Sequence, residues 1–282
     1  MKIALVQHRA GDDRAESLER ALGAMRRAAA DGASLVAFPE LAVDRFFPRC
    51  RGDDSARELA EPIPGPTTDR VAALARELGV VVVFNLYERD GEGRHFDSSP
   101  VIDADGSLLG VTRMLHITDY AGFHEQDYYH PGDEAWQAGA PVYATRAGRV
   151  GVAVCYDRHF PELTRALGLA GAEVVVIPQA GTLGEWPEGM YEAEVRTAAF
   201  QNGYFAALCN RVGEEGELTF SGESFVSDPE GRILAQGPAL EEAVVVAELD
   251  LGAAETSTAR RLFLRHRRGD LYPRWLRKPS TA

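Results

Sequence analysis

The residues best placed to do chemistry lie in Arg149–Glu162, RVGVAVCYDRHFPE. An apolar run, Val150–Val154, has the composition of a strand buried on both faces. It gives way to Cys155-Tyr156-Asp157-Arg158-His159, then Pro161 and the helical pattern Leu163–Leu167. Cys155 therefore stands where a buried strand ends and a helix begins, which is where open α/β sheets place their ligands. A thiol there can act as a nucleophile with backbone N–H groups as oxyanion donors; it can equally be an inert buried cysteine. Glu40 closes a second apolar run, Ser34–Phe38, through Pro39. Partial burial would raise its pKa toward neutrality and suit it to general-base work, the alternative being a cap or surface carboxylate. A polar, aromatic insert, His116–Asp133 (HITDYAGFHEQDYYHPGD), has no period and suits a pocket wall. Its His116, His124, Glu125, Asp127 and His130 match no standard ligand spacing, so no metal is expected. Glu125 is open as a second site carboxylate or as part of an ordered surface.

Composition bounds the rest. The chain has 282 residues, is 45% hydrophobic and 26% charged, and carries a net charge of −13. That charge argues against nucleic acid or an anionic membrane as partner. No apolar run reaches the ~18 residues of a membrane span, and no leader pattern opens the sequence. Cys50, Cys155 and Cys209 are scattered without a CxxC, so a disulfide framework is not expected and a cytoplasmic location is. No GxGxxG, GxxxxGK[ST] or GxSxG occurs. Of the 30 Lys and Arg residues, only Lys2 and Lys278 are lysine.

The positioning elements recur in two halves. The first reads as strand Lys2–Gln7, helix Ala15–Ala30, strand Ser34–Phe38, helix Thr68–Leu78, strand Val80–Leu86, and a hairpin of Ser98–Asp103 with Leu108–Arg113. The second repeats this order: Val150–Val154, Pro161–Ala170, Ala172–Ile177, Tyr191–Gln201, Tyr204–Cys209, and a hairpin of Ser224–Ser227 with Arg232–Ala235. FPE at 38–40 aligns with IPQ at 177–179, so Glu40 and Gln179 occupy equivalent strand ends. The expected fold is α/β, a four-layer α-β-β-α sandwich of two similar halves. The chain, 1–282, is expected to be a single domain, with 252–282 as a C-terminal arm.

FPE at 38–40, RMLHI at 113–117, GFHEQDYYHPGD at 122–133, CYDRHFPE at 155–162, NRVG at 210–213 and RHRRGDLY at 265–272 together resemble the nitrilase superfamily of carbon–nitrogen hydrolases. The resemblance spans nearly the whole chain. It implies the α-β-β-α fold, no cofactor, homodimers or higher homo-oligomers, and hydrolysis of non-peptide amides, carbamoyl groups or nitriles through a covalent thioester or thioimidate. It implies Glu40 as general base, Cys155 as nucleophile, Glu125 as second glutamate and the Tyr156 N–H as oxyanion donor. The insert and NRVG are most similar to the N-carbamoyl branch: N-carbamoylputrescine amidase, N-carbamoyl-amino-acid hydrolase and β-ureidopropionase. In its amino-acid-cleaving members an arginine three residues after the nucleophile holds the substrate carboxylate, and Arg158 stands there. The other role open to Arg158 is a structural ion pair with Asp157 or Glu162.

One departure is serious: the family's lysine position is Met114. Losing one oxyanion donor costs ~10²–10³ in rate in comparable sites. Positions i and i+2 on a strand face the same way, so His116 shares a face with Met114 and could supply the missing donor, while Arg113 points away. The expected function is a cysteine-dependent amidohydrolase acting on a small linear N-carbamoyl compound bearing a carboxylate. The alternative is an impaired nitrilase-fold protein, natural or engineered, that binds but hydrolyses poorly.

Overall fold

The computed structural model describes residues 1–276; residues 277–282 of the expected arm, with Lys278, lie outside the described residues. The first half runs β1 (Lys2–Gln7), α1 (Arg14–Ala30), β2 (Leu35–Ala37), α2 (Pro66–Leu78), β3 (Val81–Val83), β4 (Leu86–Arg89), β5 (His95–Ile102) and β6 (Leu108–Arg113). A short helix, α3 (Asp133–Trp136), precedes the second half. That half runs β7 (Val142–Thr145), β8 (Gly148–Val152), α4 (Pro161–Leu169), β9 (Val174–Gln179), α5 (Met190–Asn202), β10 (Phe205–Asn210), β11 (Val212–Glu215), β12 (Leu218–Ser221), β13 (Phe225–Ser227) and β14 (Ile233–Gln236). β15 (Ala243–Glu248), α6 (Gly252–Glu255) and α7 (Tyr272–Trp275) follow.

Strands apolar at every position must be covered on both faces, and their alternating Cβ directions divide the residues between two layers. Ile3 and Leu5 of β1, Leu35 and Ala37 of β2, and Val81 and Val83 of β3 meet Val150, Val152, Val174, Val176, Phe205 and Ala207 in the space between the sheets. The intervening residues, Ala4, Val6, Val36 and Val82, pack on Leu18, Leu22 and Met25 of α1 and Val71 and Leu74 of α2. Val175, Ile177, Ala206 and Leu208 pack on Leu163, Leu167, Val195 and Ala199 of α4 and α5. The result is a four-layer α-β-β-α sandwich.

One sheet has the order β15-β1-β2-β3-β5-β4 with β6 also on β5; the other is β14-β13-β10-β9-β8-β7. β1, β2 and β3 are parallel neighbours, as are β8, β9 and β10. The run expected as one strand, 80–86, is interrupted after Val83. β7, the β11–β12 hairpin and β15 have no counterpart in the sequence reading. The segment from Gly252 starts within the fold, since Ala254 and Ala259 are fully buried and Arg260 donates to the Gly203 and Ala172 carbonyls.

Candidate active site

The two halves bring their equivalent strand ends to one sulfur. β8 stops at Val152, and a single 3-10 turn, Cys155–His159, follows before α4. Cys155 opens that turn at φ +44° and is 5% exposed. Gln179, closing β9, donates its Nε2 to Cys155 Sγ at 3.2 Å. Glu40, just beyond β2, is fully buried beside the Cys155 thiol and the Asp97 carboxyl, and neither of its carboxyl oxygens has a hydrogen-bond partner among the described residues. The residue after Glu40, Leu41, also has a left-handed φ, +46°. Only four non-glycine residues among those described have positive φ. Such conformations cost about 1–3 kcal/mol each and persist where the surroundings enforce them; two of the four lie at or beside the proposed nucleophile and base.

The electrostatics of the site are acidic. Glu40, Asp97 and Glu125 are all fully buried. Burial is the main cause that pushes each carboxyl up. Asp97 and Glu125 add to the effect on Glu40, and the neighbouring Cys155 thiol opposes it. Asp97 is pushed up to about 7 and Glu125 to about 8. The Cys155 thiol is pushed well above its ordinary value by burial and then by Glu40 and Glu125, with Arg158 pulling the other way. Cys155 therefore rests as a thiol, and its attack requires a proton acceptor in the transition state rather than a preformed thiolate.

Met114 is fully buried in the interior cluster that also contains Cys155, Phe123, Tyr128 and Tyr129. Its N–H donates to the Asp97 carbonyl and its carbonyl accepts from Gly132, both at 2.9 Å. Only glycine allows that approach, because a Cβ at 132 would lie 2.4 Å from the Arg113 Cβ. β6 ends at Arg113, whose guanidinium forks onto Glu88 at 2.8 and 2.5 Å.

The expectation for His116 rested on continuing that strand, and the structure corrects it. The strand ends before Met114, so the two-residue face rule does not reach His116. Its Nδ1 lies 2.7 Å from Asp157 Oδ1, and its ring stacks on Phe160 with centroids 3.5 Å apart. Asp157 is thereby used by His116 and by the Leu115 and His116 N–H groups, which removes it as a partner for Arg158. The guanidinium of Arg158 instead bonds the Cys155 carbonyl at 3.1 Å and Gln179 Oε1 at 2.9 Å through Nη1. Its Nε is 3.4 Å from Glu194 Oε2, and it covers the Tyr191 ring. Its buried Nη2 has no hydrogen-bond partner.

Glu125 opens a 3-10 turn and accepts from the Thr118 N–H through Oε2, leaving Oε1 unpartnered. His124 and His130 lie apart from it, on Asp119 and the His95 carbonyl. Among the described residues no group of three or more His, Cys, Asp or Glu is arranged to hold a metal, and no helix is long and apolar enough to cross a membrane. Tyr156 follows Cys155 in the turn, its ring against Tyr120, His159 and Phe160.

Sequence reasoning missed Asp97 and Asn85. Asn85 Nδ2 donates to Asp97 Oδ1 at 2.6 Å, and Asn85 Oδ1 accepts the Leu41 N–H at 2.6 Å, tying Asp97 to the turn that carries Glu40. The available signal was an Asn breaking the run 80–86 and an Asp just ahead of a strand pattern.

The α-β-β-α sandwich of two similar halves thus places a cysteine-bearing turn beside a buried carboxyl. The carbon-nitrogen hydrolase family model matches residues 2–258, and the chain belongs to that family, part of the nitrilase superfamily. The chain is 32% identical to the N-carbamoylputrescine amidase of Arabidopsis thaliana, over 96% of this chain and 93% of that one. It is 31% identical to the citrullinase of Francisella tularensis, over 99% of each. Among solved structures, a glutamate-to-glutamine mutant of the amidase from Nesterenkonia sp. AN1 is 27% identical with a TM-score of 0.81, over 98% of this chain and 97% of that one. That mutant carries the acetamide moiety of fluoroacetamide added covalently at its active-site cysteine.

Proposed function

We propose that this carbon–nitrogen hydrolase is a cysteine-dependent amidohydrolase that cleaves a C–N bond of a small linear N-carbamoyl compound bearing a carboxylate. The observation that carries the reading is the convergence of Glu40 and Gln179, from equivalent strand ends of the two halves, on the Cys155 thiol. In the proposed reaction Glu40 takes the thiol proton as Cys155 Sγ attacks the carbonyl carbon. The Tyr156 N–H, at the start of the 3-10 turn, stabilises the oxyanion. Collapse breaks the C–N bond, and the amine or ammonia leaves with the proton from Glu40. Glu40 then deprotonates water, which hydrolyses the thioester and frees Cys155. Glu125 lines the site as the second glutamate, and Arg158 Nη2 takes the substrate carboxylate. The test is ammonia release from a panel of linear amides and ureido acids. No turnover of any panel member, where a related amidase works, would favour a protein that binds without hydrolysing.

The same reading makes Cys155 the reactive thiol despite its burial. Cys50 is the exposed cysteine, with Arg49 Nη1 3.2 Å from its sulfur. Cys209 is buried, and burial pushes its thiol up. One equivalent of iodoacetamide should modify Cys155 and abolish turnover, with the same stoichiometry in Cys50→Ser. Peptide mapping that finds the label on Cys50, with activity intact, would remove Cys155 as nucleophile.

Asp97 adjoins Glu40 and sets the protonation of the pair. Glu40 is raised further than Asp97, so Glu40 keeps the last proton and faces the Asp97 carboxylate, the arrangement by which adjacent carboxyls share one proton. With Asp97 held to about 7, kcat/KM should rise as pH passes through that value, because the pair then gives up one of its two protons and a carboxylate becomes available to accept the thiol proton. The same shift sets a stability slope. The folded-state pKa is raised above the ordinary aspartate value of 3.8, so the native protein binds the extra proton and its stability falls as pH rises from about 4 through about 7. Asp97→Asn keeps a donor but cannot ionise. It should lose the limb near pH 7 and flatten the fall in Tm across the same window. An unchanged limb in Asp97→Asn would assign the proton elsewhere, Glu125 at about 8 being the next carboxyl.

We also propose a homodimer or higher homo-oligomer in solution. Leu169, Met190, Phe200 and Leu262 leave large apolar side chains exposed on the second half. Sedimentation at micromolar concentration reads the state, and a monomer there would refute it.

A further inference from the structure

The NRVG stretch has no part in the reaction as proposed, yet its arginine is among the largest fully buried side chains described. Arg211 follows β10. Its Nη1 is surrounded by the carbonyl oxygens of Glu40, Leu41 and Asp44, at 3.0, 2.8 and 3.0 Å. Its Nη2 pairs with Glu215 of β11. The other oxygen of Glu215 accepts the Phe46 N–H at 2.6 Å. The pair thus holds both carbonyls and an N–H of the segment 40–46, which includes the left-handed Leu41.

The backbone of Arg211 is fixed to the opposite half. Its N–H donates to the Gln179 carbonyl at 3.1 Å, and its carbonyl accepts from Gly222 at 2.9 Å. Gln179 is the residue whose side chain reaches Cys155 Sγ. One residue therefore connects the turn bearing the acid to the strand end touching the nucleophile. The guanidinium lies 5.0 Å from the Phe220 ring centre and 6.0 Å from that of Phe46, packed so that it has little freedom to swing.

We infer that Arg211, locked by Glu215, is the positioning residue for Glu40, setting the separation and aim of the carboxylate relative to the Cys155 thiol across the two halves. The inference rests on the reading of Glu40 as the base that activates Cys155. Proton transfer is sensitive to this geometry, since a misplacement of ~1 Å can cost ~10²-fold.

The test compares Arg211→Lys, Arg211→Gln and the double variant Arg211→Met with Glu215→Leu, all in Cys50→Ser. Replacing a buried ion pair by apolar residues of similar size often preserves the fold, so the double variant is the one that keeps the test readable. For each protein the number of titratable Cys155 sites, the alkylation rate per site against pH, and kcat and KM on any amide that wild type turns over are measured. Glu40→Gln is the control. The expected result is a per-site alkylation rate and kcat at least ~10-fold lower, KM changed far less, and partial recovery in Arg211→Lys. A loss of titratable sites at an unchanged per-site rate would make Arg211 merely structural and overturn the inference, as would a per-site rate in the double variant within about twofold of wild type. If Glu40→Gln itself leaves the per-site rate unchanged, the general-base reading fails, whatever the Arg211 variants do.

Discussion

Met114→Lys should raise turnover by about 10² and move the inflection of Cys155 alkylation to lower pH. The usual objection to placing an ammonium at a fully buried position is that an uncompensated charge is costly there. Here the site contains its own countercharge. Glu40, Asp97 and Glu125 are buried, and burial holds all three carboxyls up. An ammonium among them favours their ionised forms and adds to Arg158 in favouring the thiolate. It also gives the oxyanion a charged donor. The measurement is alkylation rate against pH in wild type and Met114→Lys, with turnover of the same amide in each. A lower inflection with higher turnover is the expected pair. An unchanged inflection in a folded variant would mean that the side chain at 114 does not face the carboxyl cluster, and the assignment of the lysine position would fall. Lost turnover with a lowered inflection would mean that the pocket has repacked around the thioether.

What was legible in the sequence follows from how each residue is held. Glu40 and Cys155 stand out because each closes an apolar run, and a buried strand end is a local pattern. The repeat that aligns Glu40 with Gln179 is also local, element by element, but nothing in it shows that the Gln179 side chain reaches the Cys155 sulfur. Asp97 is hidden for the opposite reason. It lies in β5, HFDSSPVI, whose polar positions read as solvent-facing. All eight positions are buried nonetheless, in a strand that is interior to its sheet. His116 was misassigned by a parity argument that holds only while a strand lasts, and β6 ends with the Arg113–Glu88 pair. For Arg158 the sequence offered only near neighbours, Asp157 and Glu162. Its carboxylate partner is Glu194, on a helix that sequence spacing cannot place beside it.

Arg158→Gln should raise KM for a carboxylate-bearing ureido substrate far more than for its neutral amide analogue, by a difference of about 2–5 kcal/mol if the charge pair is buried. The difference between substrates is the quantity to read, because Arg158 does two things. Nη1 holds the Cys155 carbonyl and Gln179, so truncation will disturb the nucleophile for every substrate. That loss is common to both and cancels in the ratio. Nη2 is buried without a hydrogen-bond partner, and in the proposed function it is the donor that takes the substrate carboxylate. Glu194, 3.4 Å from Nε, competes for the same charge. Glu194→Gln should therefore act with the opposite sign, lowering KM for the carboxylate substrate and leaving the neutral one nearly unchanged. If Arg158→Gln penalises both substrates equally and Glu194→Gln favours neither, the Arg158–Glu194 pair is architectural and the substrate's acidity is read elsewhere.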